Sequence, residues 1–136
     1  MPASDRPRFL IVDHNADSRR LLVQTLQRKF PAEEIIEADD GDRAVLLARK
    51  QPLTAIVSHR TFDYDGETLV ALFRHVAPVV PIVMVSGYDR SAGALAAGAN
   101  AFLNYEQWLR IGVVVSDLLD KPKADAQTAE PAGEAI

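Results

Sequence analysis

The chain has 136 residues, 48% of them hydrophobic and 25% charged, with a net charge of −4 and no cysteine. This suffices for one globular core and not for two comfortable domains, and the composition excludes a disordered chain. The acidic balance argues against a nucleic-acid surface, and the missing thiols exclude disulfides, cysteine nucleophiles and thiolate metal sites.

Residues 1–7 are polar and read as an N-terminal tail without the apolar core of a leader peptide. Residues 9–12, Phe-Leu-Ile-Val, form a continuous apolar run that predicts a first strand ending at Asp13. Leu22, Leu26 and Phe30 then recur at helical spacing, with Asp17 near the start and Pro31 as the stop. Ile35 and Ile36 predict a weaker second strand, and Asp39-Asp-Gly-Asp42 opens a helix whose Ala44, Leu47 and Ala48 share a face. Residues 55–57 predict a third strand ending at Ser58. A turn around Asp63-Tyr-Asp-Gly66 follows, then a helix with Leu69, Leu72, Phe73 and Val76 on one side. Residues 81–85 predict a fourth strand leading into Ser86-Gly87, and an alanine-rich helix over 91–97 stops at Gly98. Residues 101–103 predict the fifth strand and 107–119 the last helix. Residues 121–136, rich in alanine and carrying Pro122 and Pro131, have no apolar periodicity and read as a flexible C-terminal tail.

Apolar strands alternating with helices predict a parallel sheet covered on both faces. Five such units predict an α/β, flavodoxin-like, doubly wound domain over 8–120 with strand order 2-1-3-4-5. No apolar stretch can span a bilayer, so a cytoplasmic protein with no membrane partner and no nucleic-acid partner is expected. Ligands of such sheets bind beyond the carboxyl ends of the strands. The residues at those ends are Asp13 and His14, Ser58 and His59, Ser86 and Gly87, and Asn104 and Tyr105.

Five segments carry a family resemblance: residues 9–20, residues 37–44, Asp65-Gly66, residues 81–87 and residues 97–103. In order and spacing they resemble a bacterial response-regulator receiver domain across roughly residues 8–120. The resemblance implies a pair of acidic residues after strand one that hold Mg²⁺ and a phosphoacceptor aspartate after strand three. It also implies a hydroxyl after strand four and a Lys-Pro after strand five. Here Asp13 keeps the first acidic position and His14 replaces the second. The phosphoacceptor position falls on Ser58, and the hydroxyl is kept as Ser86. Tyr105 stands at the lysine position, Glu106 at the following proline, and Phe102 at the family's switch aromatic. The segment between Ser86-Gly87 and Ala97-Gly98 is also about three residues shorter than is usual in the family, close to one helical turn, which implies a short, shifted or irregular fourth helix.

Mg²⁺ takes hard oxygen ligands, and one carboxylate beside an imidazole is a poor site, so weak or absent Mg²⁺ binding is expected. A serine cannot form an acyl phosphate and is a weak nucleophile without a base. The implied protein is a stand-alone, degenerate (pseudo-receiver) domain of two-component signalling, not an enzyme, acting by protein–protein interaction. The partner is a histidine kinase or other signalling protein, or a second copy in a homodimer. The apolar last helix supplies the candidate interface, Tyr105, Trp108, Ile111 and Val114, with core packing as the competing account of the same residues. Four rivals stay open. One is phosphate uptake on another side chain, and one is a serine hydrolase using Ser58, His14 and Asp13. The others are a flavin-type ligand and a transition-metal site of Asp13, His14 and His59. The bland accounts are a Ser58 bonded to nearby backbone, a solvent-facing His14, and an Asp13 that caps the first helix or pairs with an arginine.

Overall fold

A computed structural model describes residues 8–120, so the two expected tails lie outside the described residues. The element order is β1 (Arg8–Val12), α1 (Ala16–Lys29), β2 (Glu34–Ala38), α2 (Gly41–Lys50), β3 (Ala55–Ser58), α3 (Gly66–Val76), β4 (Ile82–Ser86), α4 (Ser91–Ala97), β5 (Ala101–Asn104) and α5 (Ile111–Asp120). The strands form one parallel sheet in the order β2-β1-β3-β4-β5, the expected flavodoxin-like arrangement.

Alternation along the strands builds two cores, one on each face of the sheet. Leu10, Val12, Ile56, Ile82 and Met84 point to the side covered by α2, α3 and α4, against Ala44, Leu69, Val70, Phe73 and Ala94. Phe9, Ile11, Val57, Val83, Val85 and Leu103 point to the other side, against Leu22 and Leu26 of α1 and Ile111 and Val115 of α5. All residues of β3 and β4 are buried, as expected of central strands with both faces covered. On the edge strand β2, Ile35 and Ile36 are only half-buried.

The helix starts follow side-chain capping. Asn15, Asp40 and Asp65 each accept a hydrogen bond from the backbone N–H three residues on, at 3.0, 2.7 and 2.8 Å. Asn15 therefore caps α1, a role the sequence had offered to Asp13. The short α4 has no side-chain cap at Arg90 and ends at Gly98, whose φ of 117° is left-handed backbone that suits glycine.

The last helix departs from expectation. Residues 105–110 form a tight 3-10 turn, opened by Asn104, whose side chain accepts from the Glu106 N–H at 2.9 Å. The α-helix begins only at Ile111, because the backbone of Gln107 (φ −104°, ψ 30°) interrupts the winding. This changes which side chains face inward. Ile111 is fully buried in the core between α5 and the sheet, so it is not a surface anchor, whereas Leu109 and Val113 are exposed.

Arg74 near the end of α3 clamps the opposite end of the sheet. Its guanidinium donates to the carbonyls of Ala77, Pro78, Val80 and Gly98 and to Asn100 Oδ1, at 2.7–3.2 Å. Asn100 Oδ1 in turn accepts from the Ile82 N–H at 2.8 Å, where β4 begins.

Candidate functional site

The carboxyl edge of the sheet is set by register. Val12 pairs with Ser58, Ser58 with Met84, and Ser86 with Asn104, so the loops after β1, β3, β4 and β5 open at one level. Asp13, one residue beyond the end of β1, is fully buried and crowded with donors. Its Oδ2 accepts from the Ser18 hydroxyl, and its Oδ1 accepts from the Asn15 N–H at 3.0 Å. His59 Nδ1 lies 3.2 Å from the same Oδ1, and His14 Nδ1 lies 3.7 Å from it. The His59 contact is close but lacks the alignment of a hydrogen bond. Burial pushes the Asp13 carboxyl up, yet His59, Ser18 and the Asn15 backbone together outweigh it and hold the group below its ordinary value.

His14 is the lesser partner of Asp13. Its Nδ1 sits 3.2 Å from the Arg60 carbonyl oxygen, a bond that places the proton on that nitrogen, and its ring meets Phe62 edge-on at 4.5 Å. It is thus mostly covered and does not face solvent as a free loop histidine would. Four rings run along the edge, Phe62, His14, His59 and Tyr105. The last two stack nearly parallel with centroids 6.0 Å apart. Tyr105 fills the lysine position, half-buried, and burial with the nearby Asp13 charge pushes its hydroxyl up, so it stays neutral.

Ser58 is fully buried, and its Oγ has no hydrogen-bond partner among the described residues. Neither the bland account of a backbone-bonded serine nor the hydrolase account fits. His14 does not reach the hydroxyl, and the shorter of the two Asp–His contacts uses His59. Ser86 is buried at the end of β4, and its Oγ accepts from the Tyr88 N–H at 3.2 Å. Phe102 on β5 is half-buried and packs against the core beneath α2, α3 and α4. Trp108, Val114 and Tyr105 are half-buried against the other core, which makes core packing the better account of these interface candidates.

The family's Mg²⁺ can be tested against these donors. Both Asp13 oxygens already accept hydrogen bonds, and the neighbouring positions offer an imidazole and an orphaned hydroxyl instead of carboxylates. Among the described residues no group of three or more His, Asp or Glu side chains is placed to hold a metal ion. The residues do not fit Mg²⁺.

No protein-family model matches the chain. It is 31% identical over 134 residues to the photosynthetic apparatus regulatory protein RegA of Rhodovulum sulfidophilum, a match that covers 96% of this chain and 65% of that protein. The chain thus spans less than two thirds of that regulator's length. Among solved structures, a mutant of the receiver domain of the histidine kinase CKI1 from Arabidopsis thaliana has a TM-score of 0.73 at 25% identity. That match covers 85% of this chain and 91% of the other. A protein described as a response regulator from Chloroflexus aurantiacus has a TM-score of 0.76 at 23% identity, over 85% and 99% of the two chains. The chain has the fold of a response-regulator receiver domain. The receiver fold holds its five-strand order and the level carboxyl edge, while the residues at that edge depart from the expected set.

The residue that sequence reasoning undervalued is His59. Asp13 and His59 share strand parity on adjacent strands paired at Val12 and Ser58, whereas His14 has the opposite parity, and that register is what the sequence alone does not supply. The β3–α3 loop was likewise read only as a turn. Asp63 bonds the Gly41 and Asp42 N–H groups at 2.9 and 3.1 Å and the Thr61 hydroxyl at 2.7 Å, and Tyr64 donates to Asp42 at 2.6 Å. These bonds strap the loop to the start of α2.

Proposed function

We propose that this chain works in two-component signalling as a receiver domain that is not phosphorylated at the usual position and acts by binding a protein partner, without catalysis of its own. The observation that carries this reading is the state of the pocket. Asp13 is saturated by its own neighbours, and Ser58 presents a buried hydroxyl where an acyl phosphate would need a carboxylate. The neutral Tyr105 hydroxyl supplies no positive charge at the lysine position to balance phosphoryl charge.

The partner is a signalling protein of the histidine-kinase class, in keeping with the receiver domain of a histidine kinase among the structural relatives. Leu95 on α4, Leu109 in the 3-10 turn and Val113 on α5 are the exposed apolar side chains that such a partner, or a second copy of the chain, would cover. The chain's expected site of action is the cytoplasm; among the described residues no helix is long and apolar enough to cross a membrane.

The test is incubation with acetyl phosphate and Mg²⁺ followed by intact-mass measurement. No phosphoryl adduct is expected on the native chain, nor on the Ser58→Asp variant, because neither metal ligands nor the lysine are restored by that change. Clear uptake by either protein overturns the reading.

A further inference from the structure

Beside the Asp13 cluster, between the loops after β3, β4 and β5, lies a cleft of about 360 Å³. That is within the size range of small-molecule sites, roughly 300–1,000 Å³. Its walls include His59, Arg60, Met84, Ser86, Tyr88 and Tyr105. Its aromatic and thioether lining comes from Tyr105, whose ring lies parallel to that of His59 with centroids 6.0 Å apart, and from Met84. Tyr88, 78% exposed, stands at the lip. Such surfaces take a planar ring by offset stacking and thioether contact.

The charges around the cleft are unequal in availability. Arg90 is committed to Glu67 through two bonds of 2.8 Å, and Asp65 is committed to the Thr68 N–H as the cap of α3. Arg60 is exposed, and its guanidinium has no carboxylate partner among the described residues. Ser86 Oγ accepts from the Tyr88 N–H, which leaves its hydroxyl hydrogen free to donate. One unpaired cation, one free hydroxyl donor and an aromatic wall describe a ligand with a single negative charge on a flat ring. A planar guanidinium matches a carboxylate in two parallel bonds.

We propose that this cleft binds a small planar aromatic carboxylate, with its ring against Tyr105 and its carboxylate on Arg60. The site is independent of phosphorylation and would give the domain a chemical input of its own. A ligand that filled it would hold the β4–α4 loop at Ser86–Tyr88 in one arrangement, and so bias the neighbouring α4 face by differential affinity.

The experiment is a titration of the full chain with 2-naphthoate, followed by amide ¹H–¹⁵N NMR. Saturable shifts are expected at Arg60, Gly87, Tyr88 and Tyr105. Arg60→Gln, a change at an exposed position that spares the core, is expected to weaken 2-naphthoate at least about tenfold and to leave the neutral 2-naphthamide unchanged. Acetate, which carries the charge without the ring, is expected to bind the native chain at least about tenfold more weakly than 2-naphthoate. The proposal is overturned by no saturable shift up to roughly 5 mM, by shifts confined to other surfaces, or by an Arg60→Gln variant that binds 2-naphthoate as the native chain does. Acetate or inorganic phosphate binding as tightly as 2-naphthoate overturns the ring requirement and with it the ligand class.

Discussion

Asp13 holds a negative charge in a place from which water is excluded, and it does so only because its neighbours were built around it. Its folded-state pKa lies below the ordinary aspartate value, since His59, Ser18 and the Asn15 N–H outweigh the burial that opposes ionisation. A depressed carboxyl contributes stability that is fully present above its unfolded pKa, about 3.9, and lost as the pH falls through the folded value. Unfolding free energy from urea titrations should therefore fall below about pH 4, and Asp13→Asn should show a shallower fall from a lower starting point. Equal slopes in the two proteins would remove Asp13 from this account. Asp63, Asp65 and Glu67 are also depressed, by bonds to Thr61, Thr68 and Arg90, so part of the acid response persists in the variant. The presence of Asp13, Ser58 and His59 at one edge was legible from strand ends alone. The pairing was not, because choosing His59 over His14 needs the register of β1 against β3 and the direction of two side chains.

Elements were legible where a periodic apolar pattern met a punctuating residue. The runs at 9–12 and 55–57 became β1 and β3, and Gly98 ended α4 where the sequence placed it. The last helix was not, because its apolar residues continue through the 3-10 turn and mask the change of winding at Gln107. Ile111 and Val113 separate the two accounts of that helix. Ile111→Ala empties a core position and should cost about 2–5 kcal/mol, whereas Val113→Ala at an exposed site should stay within about 0.5 kcal/mol. Chemical denaturation of both variants checks this, and similar costs would return Ile111 to the surface. Arg74 is the contribution from α3 that no periodicity announces, since its partners are carbonyls of the irregular loop that follows and of the distant Gly98. Burial pushes its guanidinium pKa down, but the group stays charged across the working range. Arg74→Ala would leave several carbonyls short of a donor and should cost about 2 kcal/mol or more. Arg74→Lys should recover only part of it, because an ammonium cannot reproduce the planar fork. Full recovery by lysine in thermal melts would mean that charge alone, not geometry, holds this end of the sheet.

On the scale of the whole molecule, the receiver fold stands on residues other than those at its carboxyl edge. The fold depends on apolar alternation in five strands and on caps at Asn15, Asp40 and Asp65, none of which involves the residues replaced at the pocket. The scaffold therefore tolerates a carboxyl edge that carries histidines and aromatics. The strap from Thr61, Asp63 and Tyr64 to the start of α2 lies in the loop that follows Ser58 and His59, and it bears on how often that loop opens. Arg60 offers a direct reporter. Its side chain is exposed, but its carbonyl accepts from the His14 N–H at 3.4 Å and the next residue, Thr61, donates to the Tyr64 carbonyl at 3.1 Å. Trypsin needs an extended, released backbone, so cleavage after Arg60 should be slow in the native chain and much faster in Asp63→Ala at equal enzyme. Equal digestion rates would show that the strap does not govern opening. If it does, the time the loop spends detached sets the rate at which any visitor, protease or ligand, can enter from that side.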